Sequence, residues 1–370
     1  MAENADVLIV GAGPAGLATA IAARLKGLSV TVADARRPPI EKACGEGLLP
    51  EGVAALSRLG IELNSDVAFP IAGIRFCDEV SSASGKLPHG SQSFGLRRTT
   101  LHALLVQRAT EVGVRFRWGT RVADCAGRSA RLGGSNLDFR WLVGADGQKS
   151  VVRKWASLGP RRLRSARFGF RRHFGLTPWT DFVEVHWGKH CQIYVTPTSA
   201  CEVCIALLTS DPQMRIEHAL KQFPALAERL RDSQPLSAEL GGAVVLERFG
   251  KVARGRTALA GDASFTVDGI TGQGLSLAFQ QAVHLGEALA SHNLASYQIA
   301  HRKIVTRPAR MARLLLLLGR NDWLRRTTLR ILAKHPNLFA RLLSVHAGES
   351  AAPSIKPREI CDVGCQVLRA

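Results

Sequence analysis

Long uninterrupted apolar runs are missing from this 370-residue chain. The leucine run at 314–318 is far too short to cross a bilayer, which takes about 20 residues. The apolar stretch at 7–10 is too short for a signal peptide, lacks a basic region before it, and passes straight into glycines. Acids are scarce: 30 Asp and Glu face 49 Lys and Arg, a net charge of +19. No compact Lys/Arg block accompanies that excess, so arginines spread over solvated faces explain it better than a nucleic-acid tract. Basic residues gather only at 161–172 and 302–341. Aromatics are few, at 6%. The eight cysteines show no disulfide framework, and Cys201 and Cys204 lack two further ligands at zinc spacing, so no metal is expected. These features point to a cytoplasmic chain, soluble or peripheral at a membrane.

What is abundant is glycine, and its placement is informative. Residues 6–10 read as a strand buried on both faces, followed by Gly11-Ala12-Gly13-Pro14-Ala15-Gly16 and an alanine-rich helix. Gly11 permits the tight turn, Gly13 admits a pyrophosphate to the backbone, and Gly16 lets helix pack on strand. The helix N-terminus offers free N–H groups to phosphate. A second strand at 28–33 ends in Asp34, where an acid accepts hydrogen bonds from a ribose. Nicotinamide and flavin cofactors both use this device. Two more strands end in Asp and Gly: 142–147, with Asp146, and 256–262, with Asp262. The turn Gly272-Gln273-Gly274 then opens a helix from Leu275. Parallel sheets gather ligands at the carboxyl ends of their strands, so these turns are expected around one elongated cofactor.

In this order the three stretches resemble the p-hydroxybenzoate-hydroxylase-like flavoproteins, which include aromatic monooxygenases, geranylgeranyl reductases and flavin halogenases. The resemblance covers about the first three hundred residues. It implies FAD, with NAD(P)H as transient electron donor because no second glycine fingerprint exists. By the same resemblance Gly11, Gly13, Pro14, Ala15 and Gly16 cradle the pyrophosphate, and Asp34, Ala35 and Arg36 flank the adenosine ribose. Arg98, Val122 and Asp146 border the cofactor, Asp262 holds the ribityl chain, and Gly272, Gln273, Gly274 and Leu275 lie at the pyrimidine edge. The implied fold is α/β: a Rossmann-like FAD-binding domain from residues 1–69, 95–155 and 250–300 interleaved with an antiparallel-sheet substrate domain. That second domain takes 70–94 and 156–249, ahead of C-terminal helices at 301–348 and a loose tail at 349–370.

The chemistry stays open between two branches. The loop Lys42-Ala43-Cys44-Gly45-Glu46-Gly47 resembles the Cys-Gly loop that geranylgeranyl reductases place near the flavin. Cys44 is either a redox or proton-donating group or a small residue packed beneath the ring; Glu46 is either a substrate contact or a helix-start acid. A monooxygenase would put oxygen into an aromatic or polyketide-like lipophilic molecule, while a reductase would saturate a carbon–carbon double bond of an isoprenoid or other lipid. The halogenase signature Trp-x-Trp-x-x-Ile-Pro is absent. A non-catalytic flavin-binding or nucleic-acid-binding protein rests on charge alone. Trp187, Tyr194 and Pro197 either border the substrate pocket or pack within the sheet, and His173, His186 and His190 are not distinguished as bases. The leucines strung between arginines at 307–345 read either as a helix pair covering the cofactor domain or as a membrane-surface helix admitting a lipophilic substrate.

Overall fold

A computed structural model describes residues 3–348; of the side chains at 160–166 and 245–249 nothing is stated. The expected tail at 349–370 and the first half of the basic cluster at 161–172 fall outside these limits.

Residues Val7, Leu8 and Ile9 are fully buried, which only a central strand with both faces covered allows. Their strand, Glu3–Val10, pairs in parallel with Ser135–Gly144 on one side and Val30–Asp34 on the other. Thr257–Leu259 and Arg115–Trp118 extend the parallel core outward. Helices Pro14–Leu25 and Gly274–Ala290 cover one face and cross closely, because Gly286 gives Ala22 the space a Cβ would take. Parallel register puts the carboxyl ends at Val10, Asp34, Gly144 and Leu259 along one edge.

The second sheet runs Gln234–Pro235, Pro160–Gly175, Glu202–Thr209, Cys191–Ser199, Phe182–Gly188, Gly73–Cys77 and Ser82–Lys86, with Leu240–Phe249 also paired to the long second strand. Strand period sorts its faces. Tyr194, Thr196, Ala206 and Leu208 face a cavity between the sheets. Ile193, Val195, Val203 and Ile205 form a separate core with Ile216, Leu226 and Leu230 from two short helices. One pairing departs from the expected antiparallel sheet. Phe182–His186 runs parallel to Gly73–Cys77, since the latter enters from a distant part of the chain instead of by a hairpin.

The C-terminal region differs from the expected pair. Three helices, Leu294–Arg320, Asp322–Lys334 and Pro336–Ala347, follow one another, with Asn321 capping the second through its side chain. They cover the cavity and the outer strand Ser82–Lys86, not the cofactor half alone. Phe339 lies where a Cβ on Gly85 would stand, and Leu329, Leu332 and Phe339 pack with Ala83.

Gly16 marks a tight backbone junction: a Cβ there would overlap the carbonyl oxygen of Gly11 and crowd the Ala145 methyl at 3.3 Å. Gly16→Ala should lower unfolding free energy by about 3 kcal/mol, read as a lower urea midpoint, because backbone cannot yield as a flexible side chain does.

Candidate active site

The carboxyl edge of the parallel sheet opens on a single continuous cavity of about 980 Å³, reaching from Asp34 to Phe339 and His346. At one end Gly11 adopts φ +104°, a left-handed conformation that brings its turn against Ala145 and Asp146. Both oxygens of the buried Asp34 carboxylate are engaged, one accepting from the Ala12 N–H at 2.8 Å and the other from the Arg36 N–H at 2.8 Å. His102 Nε2 meets the Ala12 carbonyl at 2.9 Å, and burial lowers this histidine's pKa, so the ring is a neutral donor. Helix Pro14–Leu25 begins with proline and no side-chain cap, leaving its first N–H groups free. Arg98 is buried with an unpartnered Nε, and its guanidinium is the nearest group to the open side of Gly13, at 4.0 Å. Free N–H groups, helix dipole and an underused guanidinium make this corner an anion site.

Further along, Asp146 splits its carboxylate. Oδ2 accepts from Val151 N–H at 2.7 Å, the turn-capping role that Asp often takes, while Oδ1 is buried without a partner. Asp262 pairs with Lys42 at 2.5 Å across the cavity. Gly272 is left-handed, and nothing lies within 4 Å of where a Cβ on Gly272 or Gly274 would stand. The N-terminus of Gly274–Ala290 therefore faces open space over a bare backbone surface that a flat ring can approach.

Between the sheets lies a buried polar cluster that sequence reading missed. Glu46 is left-handed (φ 60°) and buried. Its Oε1 accepts from the Arg98 N–H at 2.9 Å, and its Oε2 lies 2.6 Å from His173 Nε2. Glu46 is thus a helix-start acid, but for helix Arg98–Glu111, not for the nearby helix Pro50–Ser57. With Nε2 donating, His173 Nδ1 accepts from Ser237 Oγ at 3.0 Å. Arg171, beside it, bonds Ser237 and forms an ion pair with Glu41. Cys204 joins Glu46 and His173 with all three donor atoms within 4.8 Å, a spacing that suits a metal ion. The direct carboxylate–imidazole bond and the adjacent guanidinium close that set on itself, so it works as a hydrogen-bonded brace. Burial pushes the thiols of Cys44 and Cys204 up, keeping both protonated at neutral pH. Cys201 is exposed, away from Cys204.

Apart from Gly16, every cofactor residue picked out from the sequence lines this cavity: Gly11, Gly13, Pro14, Ala15, Asp34, Ala35, Arg36, Cys44, Gly45, Arg98, Val122, Asp146, Asp262, Gly272, Gln273, Gly274 and Leu275. Glu46 lines it too. Of the expected pocket aromatics only Tyr194 does; its hydroxyl donates to the Ile270 carbonyl at 2.9 Å, while Trp187 packs edge-on against Phe76. The far lobe is apolar, walled by Val183, Val185, Met311, Leu315, Leu318 and Phe339.

The last helix is fastened to the Gly272 turn. Gln273 Nε2 donates to the His346 carbonyl at 2.8 Å, and His346 Nε2 donates to the Thr271 carbonyl at 3.0 Å. Burial lowers the His346 pKa to about 4, and that of His301 likewise. Because these folded values lie below the unfolded 6.5, the unfolded chain takes up protons first as pH falls. Stability should therefore be intact above pH 6.5 and decline toward about pH 4, by about 1.4 kcal/mol per pH unit for each histidine. His346→Gln keeps a donor for Thr271 but cannot titrate, and thermal melts across this window should show a clearly shallower decline.

Residues 4–229 match the family model described as an FAD binding domain. A menaquinone reductase of Mycolicibacterium smegmatis is 35% identical over 164 residues, 41% of this chain and 40% of the relative. A rifampicin monooxygenase of Rhodococcus hoagii is 30% identical over 311 residues, 77% of this chain and 64% of the relative. The chain thus spans less than two thirds of the length of either curated relative. The solved structure of p-nitrophenol 4-monooxygenase from Pseudomonas putida superposes with TM-score 0.79 at 18% identity, covering 95% of this chain and all but 1% of that one (99%), and so shares the fold. The matched model spans more than half of the chain, and the chain belongs to the FAD binding domain family.

Proposed function

We propose that this chain is an NAD(P)H-dependent monooxygenase that hydroxylates an aromatic or polyketide-like lipophilic molecule. The supporting observation is the cavity itself, which runs unbroken from a polar end suited to an anion to an apolar lobe. The residues present fit FAD. The unpartnered Arg98 Nε, Asp146 Oδ1 and Gln273 Oε1 are buried polar atoms that need a ligand, and Gly13, Gly272 and Gly274 leave room that side chains would fill. Gly11, Gly13, Ala15 and the first helix would hold the pyrophosphate, Asp34 the adenosine ribose, Asp262 with Lys42 the ribityl chain, and the 272–274 turn the pyrimidine edge. Bound FAD would supply two-electron storage and reactivity toward oxygen.

The protein's own part is positioning and water exclusion. The N-terminus of Gly274–Ala290 would stabilise negative charge on a ring bound against the 272–274 turn. Tyr194 is committed to Ile270 and kept neutral by burial, so it fixes the Gly269–Thr271 turn and does not act as a base. The leucines above it keep water from the reacting substrate. We place the chain in the cytoplasm, at a membrane surface when its substrate is there; no helix among the described residues can cross a membrane.

A reductase reading is favoured by one feature. Cys44 is a thiol on the cavity wall that burial keeps protonated, and it would be the proton donor if bound FAD supplied hydride to a substrate double bond. Oxygen separates the two. Turnover that consumes oxygen and yields a product one oxygen atom heavier supports the monooxygenase; anaerobic turnover to a product two hydrogens heavier contradicts it. Asp262→Ala should weaken FAD retention about tenfold to a hundredfold by flavin fluorescence titration, since a buried ligand hydroxyl loses its acceptor, while the melting temperature of the flavin-free chain holds within a few degrees.

A further inference from the structure

The outer face of the C-terminal helices combines exposed apolar side chains with positive charge. Leu314, Leu317 and Trp323 are exposed at 52%, 51% and 50%. Helical spacing sets Leu314 and Leu317 on one stripe with Arg310, Arg313 and Arg320 alongside, all three exposed. Residues 301–348 carry 11 Lys and Arg against a single acid, Asp322, which pairs with Arg325. Arg326 meets Glu79, but among the described residues no acid pairs with Arg310, Arg313 or Arg320.

The same helix roofs the cavity. Met311, Leu315 and Leu318 line it from the inner face, and Leu314 both lines the cavity and reaches solvent, so the apolar lobe comes to the surface between the exposed leucines and arginines. Packing needs only the inner leucines. The outer ones gain nothing from water, and nothing from nucleic acid, whose phosphates would use the arginines alone. A bilayer with anionic headgroups uses both, apolar side chains entering the acyl boundary and guanidiniums meeting phosphate.

We infer that this face docks on an anionic lipid surface and that lipophilic substrate passes from the bilayer into the cavity beside Leu314. The inference rests on the reading of the far lobe as a lipophilic-substrate site. It requires no inserted helix: the helix lies along the surface with Arg310, Arg313 and Arg320 at headgroup level. The remainder of the protein, including the adenosine end of the cofactor site at Asp34, stays in water.

The test uses the full chain loaded with FAD, co-sedimented with vesicles of phosphatidylcholine alone or mixed with phosphatidylglycerol. Binding should require phosphatidylglycerol and be released by high salt. The pairs Leu317→Asp with Trp323→Asp, and Arg313→Glu with Arg320→Glu, should each lower apparent vesicle affinity at least about tenfold. None of the four residues lines the cavity, so flavin content and turnover of a water-soluble substrate should be unchanged. Equal binding to both vesicle types, or variants that bind as the parent does, would overturn the inference. So would a dimer that Leu317→Asp separates in the absence of any vesicle binding, or DNA binding with none to vesicles. A chain that docks yet retains no FAD would support the face and sink the flavin reading instead.

Discussion

Backbone brought against backbone at the carboxyl edge of the parallel sheet is the constraint on which the rest depends. Gly11 presses on Ala145 and Asp146, Gly16 on Gly11, and Gly261, at φ 60°, stands where a side chain would strike the Ala15 methyl. A Cβ at any of these positions would part the turns that Asp34, Asp146 and Asp262 punctuate. Held together, they leave a narrow floor of free N–H groups and bare glycine, on which an extended anionic cofactor can lie within hydrogen-bonding distance of main chain.

The second constraint is the brace between the two sheets. Glu46 ties together its own loop, the first N–H of helix Arg98–Glu111 and His173 on the long antiparallel strand. It also fixes Cys44, whose thiol sulfur accepts from the Glu46 N–H at 3.4 Å, at the cavity wall. A buried carboxylate of this kind adds little net stability, yet removing one partner would strand the others without water. Its contribution is placement: the antiparallel sheet cannot slide relative to the glycine turns without breaking it. The His346–Thr271 and Gln273–His346 bonds do the same at the opposite wall, fixing the roof helices to the glycine turn.

Much of this was legible in the residue order. Strand, glycine turn, helix and terminal acid are local signals, and parallel pairing carries them to one edge by a general rule, so Gly11, Asp34, Asp262 and Gly272 could be placed before any coordinates. What could not be read were pairings with no local signature. Glu46 and His173 are 127 residues apart, Arg171 and Glu41 130, and His346 and Thr271 75. Glu46 looked like a helix-start acid or a ligand contact because its true partner helix begins 52 residues on, beyond five strands and a helix. Trp187 and Tyr194 fall on neighbouring strands and share one face, Trp187 opposite Gln192 and Tyr194 opposite Val185; what keeps Trp187 off the cavity is its packing against Phe76, a residue far away in the chain. The roof helices show the 3.6-residue period, but what they cover depends on where Ser82–Lys86 sits in the sheet.

Cofactor turns, brace and roof together define one account: an extended FAD with its adenosine end at Asp34 and its ring beneath the apolar lobe. Comparing FAD with FMN tests this most directly, since FMN shares the ring and ribityl chain but lacks the adenylate half that the Gly11–Gly16 turn and Asp34 would hold. Titrating each into the flavin-free chain and following flavin fluorescence should show stoichiometric, tight binding of FAD and at most weak binding of FMN. Equal affinity for the two, or no binding of FAD, would contradict it.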